Sequence, residues 1–266
     1  MSGTLYLVAT PIGNLSDMSP RAVETLKKCS RIFCEDTRRT SKLTQHFNIK
    51  VPRESLHGFS EKKKVSKVIS LLEDNLEIAL VSDAGTPVIS DPGKILVRTL
   101  LDKKFTVTAV PGPSAAATAF SSAGAESSSF VFAGFLPSKG KVRRDTLDKF
   151  LDFGLPVVFY ESPGRVENLI EHLHNKKARI VICREMTKHH EEIFVHEKGR
   201  PVTCKGEFTV VAEPYSSSDS EKNRRIDSKL ISKLEKYEMS SKDKLYILNH
   251  IYPEKRKSEL KKVVFP

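Results

Sequence analysis

No apolar run in this sequence approaches the roughly 18 residues needed to span a bilayer, so a transmembrane helix is excluded. Residues 1–4 carry neither a basic segment nor a cleavage pattern ahead of the apolar residues 5–9. No leader is therefore expected, and the expected location is cytoplasmic. The four cysteines, Cys29, Cys34, Cys183 and Cys204, form no CxxC pair and have no metal-ligand spacing. Buried free thiols are expected, with no metal site. GxGxxG and GxxxxGK[ST] are also missing, which removes the usual dinucleotide fingerprint and the P-loop.

What is present is positive charge. The 266 residues carry a formal net charge of +11, an excess that favours polyanionic partners through counterion release. Residues 221–266 hold 13 Lys+Arg against 7 Asp+Glu, a net of +6. About half of the excess thus sits in the last sixth of the chain.

Short apolar runs alternate with amphipathic stretches in the first half, which predicts βαβ units around a largely parallel sheet. Strands are expected at 4–9, 30–34, 78–82 and 106–110. Ser19-Pro20 is a helix start, and Asp91-Pro92 repeats that signature before Ile95, Leu96, Leu100 and Leu101. Residues 61–74 place Val65, Val68, Ile69 and Leu72 on one helical face. A small, polar stretch at 121–129 reads as a linker. A second alternation follows, with strands at 130–134, 156–160, 179–184 and 207–213 and helices near 143–152 and 163–174. Antiparallel pairing is open for its later strands. The expected domains are 1–120, 121–215 and a basic helical, helix-turn-helix-like module at 222–266, for which a plain helical hairpin is the alternative.

Open parallel sheets bind ligands at the carboxyl ends of their strands. Three loops there are rich in small residues: TPIGNL (10–15), SDAGTPVISDPG (82–93) and PGPSAAATA (111–119). The third feeds a helix of very small residues, whose N-terminus can meet a ligand through Ser114 and free N–H groups. EDTRRT (35–40), YESPGR (160–165) and REMTK (184–188) bring acids and bases to other strand ends. Each of these has a surface salt-bridge cluster as its plainer reading.

Taken in order, TPIGNL, EDTRRT, LVSDAGTPVISDPG (80–93), PGPSAAATA, FLPSKGKVRRD (135–145), FYESPGR (159–165) and REMTK resemble the ribosomal RNA small subunit methyltransferase I family. That family lies within the tetrapyrrole-methylase-like group. The similarity covers roughly residues 4–213, and the basic C-terminal segment resembles the family's small helical domain. The resemblance implies two α/β domains of the tetrapyrrole-methylase type, with the cofactor cleft between them and a C-terminal helical module. It implies a homodimer using S-adenosylmethionine to methylate the ribose 2′-hydroxyl of a cytidine in the decoding region of 16S rRNA. Neither DNA nor a membrane is an expected partner. Carried over by motif, the cofactor is expected against Pro11, against Asp83, Ala84, Gly85, Thr86 and Ile89, and against Ser114 and Ala115. Tyr160, Arg184 and Glu185 close the second side. The chain departs from the family in having Gly164 where His is common, and in a shorter stretch between Lys188 and Gly206.

A ribose hydroxyl is a poor nucleophile at neutral pH, so a base or a cation near the developing alkoxide would help. Glu35 and Asp36 are candidate bases. Arg38, Arg165 and Lys188 are candidate cations, and a lysine of depressed pKa is a further possible base. The reading adopted is that positioning dominates, with Lys188 and Arg38 as electrostatic aids. For RNA phosphates the candidates are Arg39, Lys139, Lys141, Arg143, Arg144, Arg165, Lys255, Arg256 and Lys257. The rival readings are a methylase of the same fold acting on a small molecule or a protein, and a non-catalytic RNA-binding ribosome-assembly factor.

Overall fold

The computed structural model describes residues 2–57, 61–214, 240–252, 255, 258, 260 and 261. Its contacts divide the chain into two compact units, Met1–Pro214 and Tyr215–Pro266. Within the first unit lie two five-stranded sheets among the described residues.

The first sheet contains β1 (Thr4–Val8), β2 (Arg31–Cys34), β3 (Arg53–Ser55), β4 (Ile78–Val81) and β5 (Thr106–Val110) in the order β3-β2-β4-β1-β5. Every pairing is parallel. β4 is buried throughout, as befits a central strand covered on both faces. That order sets β2, β4, β1 and β5 side by side, so the loops that follow them emerge next to one another.

Helices α1 (Pro20–Lys28), α2 (Thr37–His46), α3 (Glu61–Glu73) and α4 (Lys94–Asp102) cover this sheet. α1 starts where Ser19 predicts, its hydroxyl accepting from Ala22 N–H, a cap worth about 1 kcal/mol. α3 buries Val65, Val68 and Leu72 at the spacing of one helical face. α4 departs from expectation. It begins at Lys94, with Gly93 rather than Asp91 at the cap position and no local side-chain cap. The buried Glu61 of α3 serves instead, accepting from Leu96 N–H at 2.8 Å. Asp91 is thereby released from a capping role.

Helix α5 (Ala115–Ala123) leaves β5 and lays Ala116, Ala119 and Ala123 against Val158, Val181 and Val211 of the second sheet. Its small residues let helix and sheet approach closely, and they extend into the stretch expected to be a linker. The second sheet contains β6 (Val131–Phe135), β7 (Val157–Glu161), β8 (Arg179–Arg184), β9 (Glu192–Val195) and β10 (Phe208–Glu213), in the order β6-β7-β10-β8-β9. Only β6 and β7 run parallel; β10 is antiparallel to β7 and β8, and β9 to β8. Helices α6 (Gly140–Leu151) and α7 (Pro163–Asn175) supply Leu147, Leu151, Val166, Leu169 and Leu173 to its core.

Three cysteines are buried and the fourth, Cys204, is half-buried; all four are free thiols. Burial pushes Cys29 and Cys183 up to about 12, which keeps them protonated and inert.

In the second unit, α8 (Ser241–Ile251) starts after Ser240, whose hydroxyl accepts from Asp243 N–H. Leu248, Tyr252 and Leu260 are buried. Lys255 belongs to this unit, whereas Arg256, Lys257 and residues 222–239 of the expected helical module lie outside the described residues. No described helix is long and apolar enough to cross a membrane.

Candidate functional site

The small-residue loops of the first sheet are bonded to one another. Thr10 and Gly85 exchange two backbone hydrogen bonds of 2.9 Å. The Thr10 hydroxyl donates to Ser82 O, and the Thr86 hydroxyl donates to Pro113 O at 3.1 Å. Left-handed backbone recurs around the same loops. Val88 and Ser90 have φ of 73° and 66°, and across the cleft Glu185 and Thr187 have 51° and 64°. Left-handed backbone at a β-branched residue is costly and clusters where a fold holds a ligand.

The two sheets meet across Gly13. A Cβ there would lie 2.5 Å from Lys188 Cγ and 2.9 Å from Met186 O. Beside it, Asn14 N–H donates to the Thr187 hydroxyl. The REMTK turn therefore seats directly on the TPIGNL turn. A cleft of ≈ 450 Å³ opens alongside this contact, within the size range of small-molecule sites.

Of the expected cofactor residues, Asp83, Ala84, Gly85, Thr86, Ile89, Ser114, Ala115 and Tyr160 line the cleft. Pro11 lines a side recess of ≈ 240 Å³ that shares Ile12, Arg39, Asp83, Ala84 and Glu207 with it. Arg184 and Glu185 line neither. The Arg184 guanidinium turns to Glu192 at 2.8 Å and to Lys205 O. The Glu185 carboxylate accepts from Glu207 N–H and from Lys188.

The expected catalytic set divides. Glu35 lines the cleft, but Asp36 and Arg38 do not. Asp36 caps α2 and holds the exposed Arg38 guanidinium, and those hydrogen bonds draw its carboxyl down to about 2. Lys188 lines the recess, with its ammonium 2.8 Å from Glu185 and 2.9 Å from Glu207. Burial disfavours that charge, but the two carboxylates outweigh it and the pKa is raised. At Lys188 the two carboxylates therefore favour the charged form, the reverse of what a lysine acting as a base requires.

The RNA set divides as well. Arg39 reaches the cleft and faces Asp83 at 3.6 Å. Lys139, Lys141 and Arg144 are exposed at the start of α6. Arg143 is instead interior: it is buried, pairs with Glu161 at 2.6 Å and donates to Pro137 O. Arg165 holds the other Glu161 oxygen at 2.8 Å and the Ser162 hydroxyl at 2.9 Å. The Glu161 side chain is fully buried, so both arginines serve the cleft floor.

Sequence reasoning missed several lining residues. Asp91 was hidden by its helix-cap signature, and Phe135 and Met186 lay inside recognised motifs without an assigned role. Residues 206–209 line the cleft too. Only the insertion of β10 between β7 and β8 brings them there, and no local signal announces that.

Five carboxylates, Glu35, Asp83, Asp91, Glu161 and Glu207, line the cleft against one arginine. Asp83, Glu161 and Glu207 have cationic partners. Glu35 and Asp91 have no ion pair among the described residues. Burial, with Glu35 and Asp83 nearby, lifts Asp91 to about 6. Burial also raises Tyr160 on the opposite wall. At one end, Ser114 makes no cap bond from its side chain, and the Ala116 N–H in the first turn of α5 faces the Tyr160 phenol oxygen across the cleft.

Residues 4–200 match the family model for tetrapyrrole (corrin/porphyrin) methylases. Curated relatives named ribosomal RNA small subunit methyltransferase I include one from Halalkalibacterium halodurans, 42% identical over 79% of this chain and 76% of its own. Another, from Buchnera aphidicola, is 38% identical over 96% and 93%. Among solved structures, a diphthine synthase aligns with a TM-score of 0.61 at 14% identity, over 79% of this chain and 90% of that one. A uroporphyrin-III-C-methyltransferase from Thermus thermophilus aligns at 0.53 and 15%, over 79% and 94%. Those two likenesses carry the fold alone. On the family match and the identities across most of both chains, this chain belongs to the ribosomal RNA small subunit methyltransferase I family of tetrapyrrole-type methylases.

Proposed function

We propose that the protein uses S-adenosylmethionine to methylate small-subunit ribosomal RNA, at the ribose 2′-oxygen of a cytidine in the decoding region. The observation that carries the cofactor is the pair of unpaired carboxylates, Glu35 and Asp91, in a cleft of ≈ 450 Å³. That cleft suits a ligand bearing sulfonium and ammonium charges, and the N-terminus of α5, which Ser114 does not cap through its side chain, suits its single carboxylate. The same acidity disfavours RNA phosphates, so the RNA backbone belongs on the basic rim.

S-adenosylmethionine supplies a methyl group already activated on sulfur. The chain's task is alignment, which can be worth roughly 7–11 kcal/mol. Glu35, which lines the cleft and makes no ion pair among the described residues, is the proposed acceptor of the hydroxyl proton. Arg39, in the cleft and the recess, and Lys188, in the recess, are the proposed cations for the alkoxide and the flanking phosphate; Arg38 lines neither space and pairs with Asp36. Lys139, Lys141 and Arg144, with the basic tail that includes Lys255, Arg256 and Lys257, are the proposed phosphate contacts. Open space surrounds Gly164, so the RNA grip there is looser than in relatives with His. A cytoplasmic location follows from this substrate. The proposal includes a homodimer, which rests on the family resemblance and is tested by sedimentation velocity.

The deciding experiment is mass spectrometry of small-subunit rRNA from cells lacking the protein, followed by methylation of those subunits in vitro. One missing ribose methyl, restored by protein and cofactor, is expected. Full methylation of that RNA without the protein would overturn the reading.

A further inference from the structure

We propose that Phe135 is the stacking platform for the nucleobase whose ribose is methylated, set at the cleft mouth by a bulge in β6; this rests on the rRNA reading above.

Side chains alternate across a strand, so residues three apart face opposite ways. Phe132 and Phe135 are three apart, yet both rings meet Tyr160, with centroids 5.0 and 5.5 Å away. The pairing of β6 with β7 explains this. Phe132 is opposite Val158 and Gly134 is opposite Phe159, which leaves Ala133 as an extra residue. A bulge re-aims the side chains beyond it, and bulges are rare in parallel pairs. Gly134 makes this one possible. Its φ is +62°, and a Cβ there would come within 3.0 Å of the Ser90 hydroxyl, itself a cleft residue.

The device does not serve the core. Leu136 is buried, whereas Phe135 lines the cleft and remains 57% exposed. An aromatic ring is thus held at the mouth of the site by an edge-type contact with Tyr160, their planes 62° apart. Following it along the chain, at the start of α6, Lys139, Lys141 and Arg144 are exposed and make no ion pair among the described residues. A ring for a base beside cations for its phosphates is how proteins hold splayed-out nucleotides. Chemistry on one nucleotide of a structured RNA also requires that nucleotide to leave its stack. The unpaired carboxylates lie on the loops of the first sheet, so the ring is free for the acceptor.

The test uses the full-length protein, unmethylated small subunits and S-adenosylmethionine, with Phe135→Leu (apolar, no ring) and Phe135→Tyr (ring kept). Calorimetric affinity for S-adenosylmethionine should stay within about twofold in both. Single-turnover methylation at limiting subunits should fall about tenfold to hundredfold in Phe135→Leu and stay within about threefold in Phe135→Tyr. Wild-type rates in Phe135→Leu would overturn the proposal, as would an equal loss in Phe135→Tyr. Cofactor affinity falling in step with methylation would assign the ring to the cofactor's adenine and overturn it too. If the wild type transfers no methyl to subunits, the rRNA reading itself fails and the platform falls with it.

Discussion

The two sheets bring their strand ends to one cleft by different means. The first offers turns of small residues tied by backbone bonds, such as the exchange between Thr10 and Gly85. The second offers long charged side chains fixed in pairs: Glu161 between Arg143 and Arg165, and Lys188 between Glu185 and Glu207. Small turns let backbone approach a ligand, and the unpaired carboxylates Glu35 and Asp91 stand among them. Paired charges instead hold a wall rigid while leaving little net charge on it. On the proposed function, the first sheet touches the cationic cofactor and the second positions what lies across from it.

Breaking the charge-paired wall is expected to have the largest effect. Arg143→Met leaves the fully buried Glu161 with Arg165 alone. Removing one partner of a buried pair costs roughly 3 kcal/mol or more, so the midpoint of thermal unfolding should drop by about 6 °C or more. Arg143→Met combined with Glu161→Leu should recover much of that loss, because the one charge that then loses its partner, Arg165, is partly exposed and keeps the Ser162 hydroxyl. If the single substitution leaves the midpoint unchanged, the wall does not depend on its ion pairs.

Next in size is the seam between the sheets. Gly13→Val places a side chain where Lys188 Cγ and Met186 O already stand. The REMTK turn must then move off the TPIGNL turn, and a displacement near 1 Å can cost about a hundredfold in rate. Methylation of small subunits should fall by that order, with cofactor affinity falling less. Equal losses in both would place the seam's role in cofactor binding rather than alignment.

Much of the first sheet was legible because its signals are local. Four of its five strands are short runs rich in apolar residues, Ser19-Pro20 caps its own helix, and the three ligand loops are visible as small-residue turns; the edge strand β3, Arg53–Ser55, has no apolar pattern to announce it. The second side was less so. Arg143 and Arg144 are neighbours of the same type, and only the helical turn of α6 puts one on Glu161 and the other in solvent. The strand β9 and the cleft residues of β10 depend on an antiparallel order that no motif encodes. Asp91 was misjudged for a different reason: its capping signature was real, but Glu61, distant in sequence, had taken the role. Long-range partners decide such cases, and a local pattern cannot display them.

The smallest expected effect tests the first sheet's side of the comparison through Asp91. Its carboxyl titrates near 6 because burial, Glu35 and Asp83 all disfavour its charge, against an ordinary value of about 3.9. A cation in the cleft relieves that repulsion, so wild-type affinity for S-adenosylmethionine should weaken as pH falls through about 6. Asp91→Asn should bind about tenfold less tightly at pH 7.5, a difference of roughly 1.4 kcal/mol, and equal the wild type at pH 5. Folding should respond in the opposite sense. A carboxyl whose pKa is raised in the folded state contributes stability below its unfolded value and loses it as pH rises through about 6. Asp91→Asn should therefore unfold at a higher temperature than wild type at pH 7.5, and lose that advantage below pH 4. A variant weaker in cofactor binding yet more stable at neutral pH marks a carboxylate kept for its ligand. Loss of both would mark Asp91 as structural, and the contrast between the two walls would then rest on Glu35 alone.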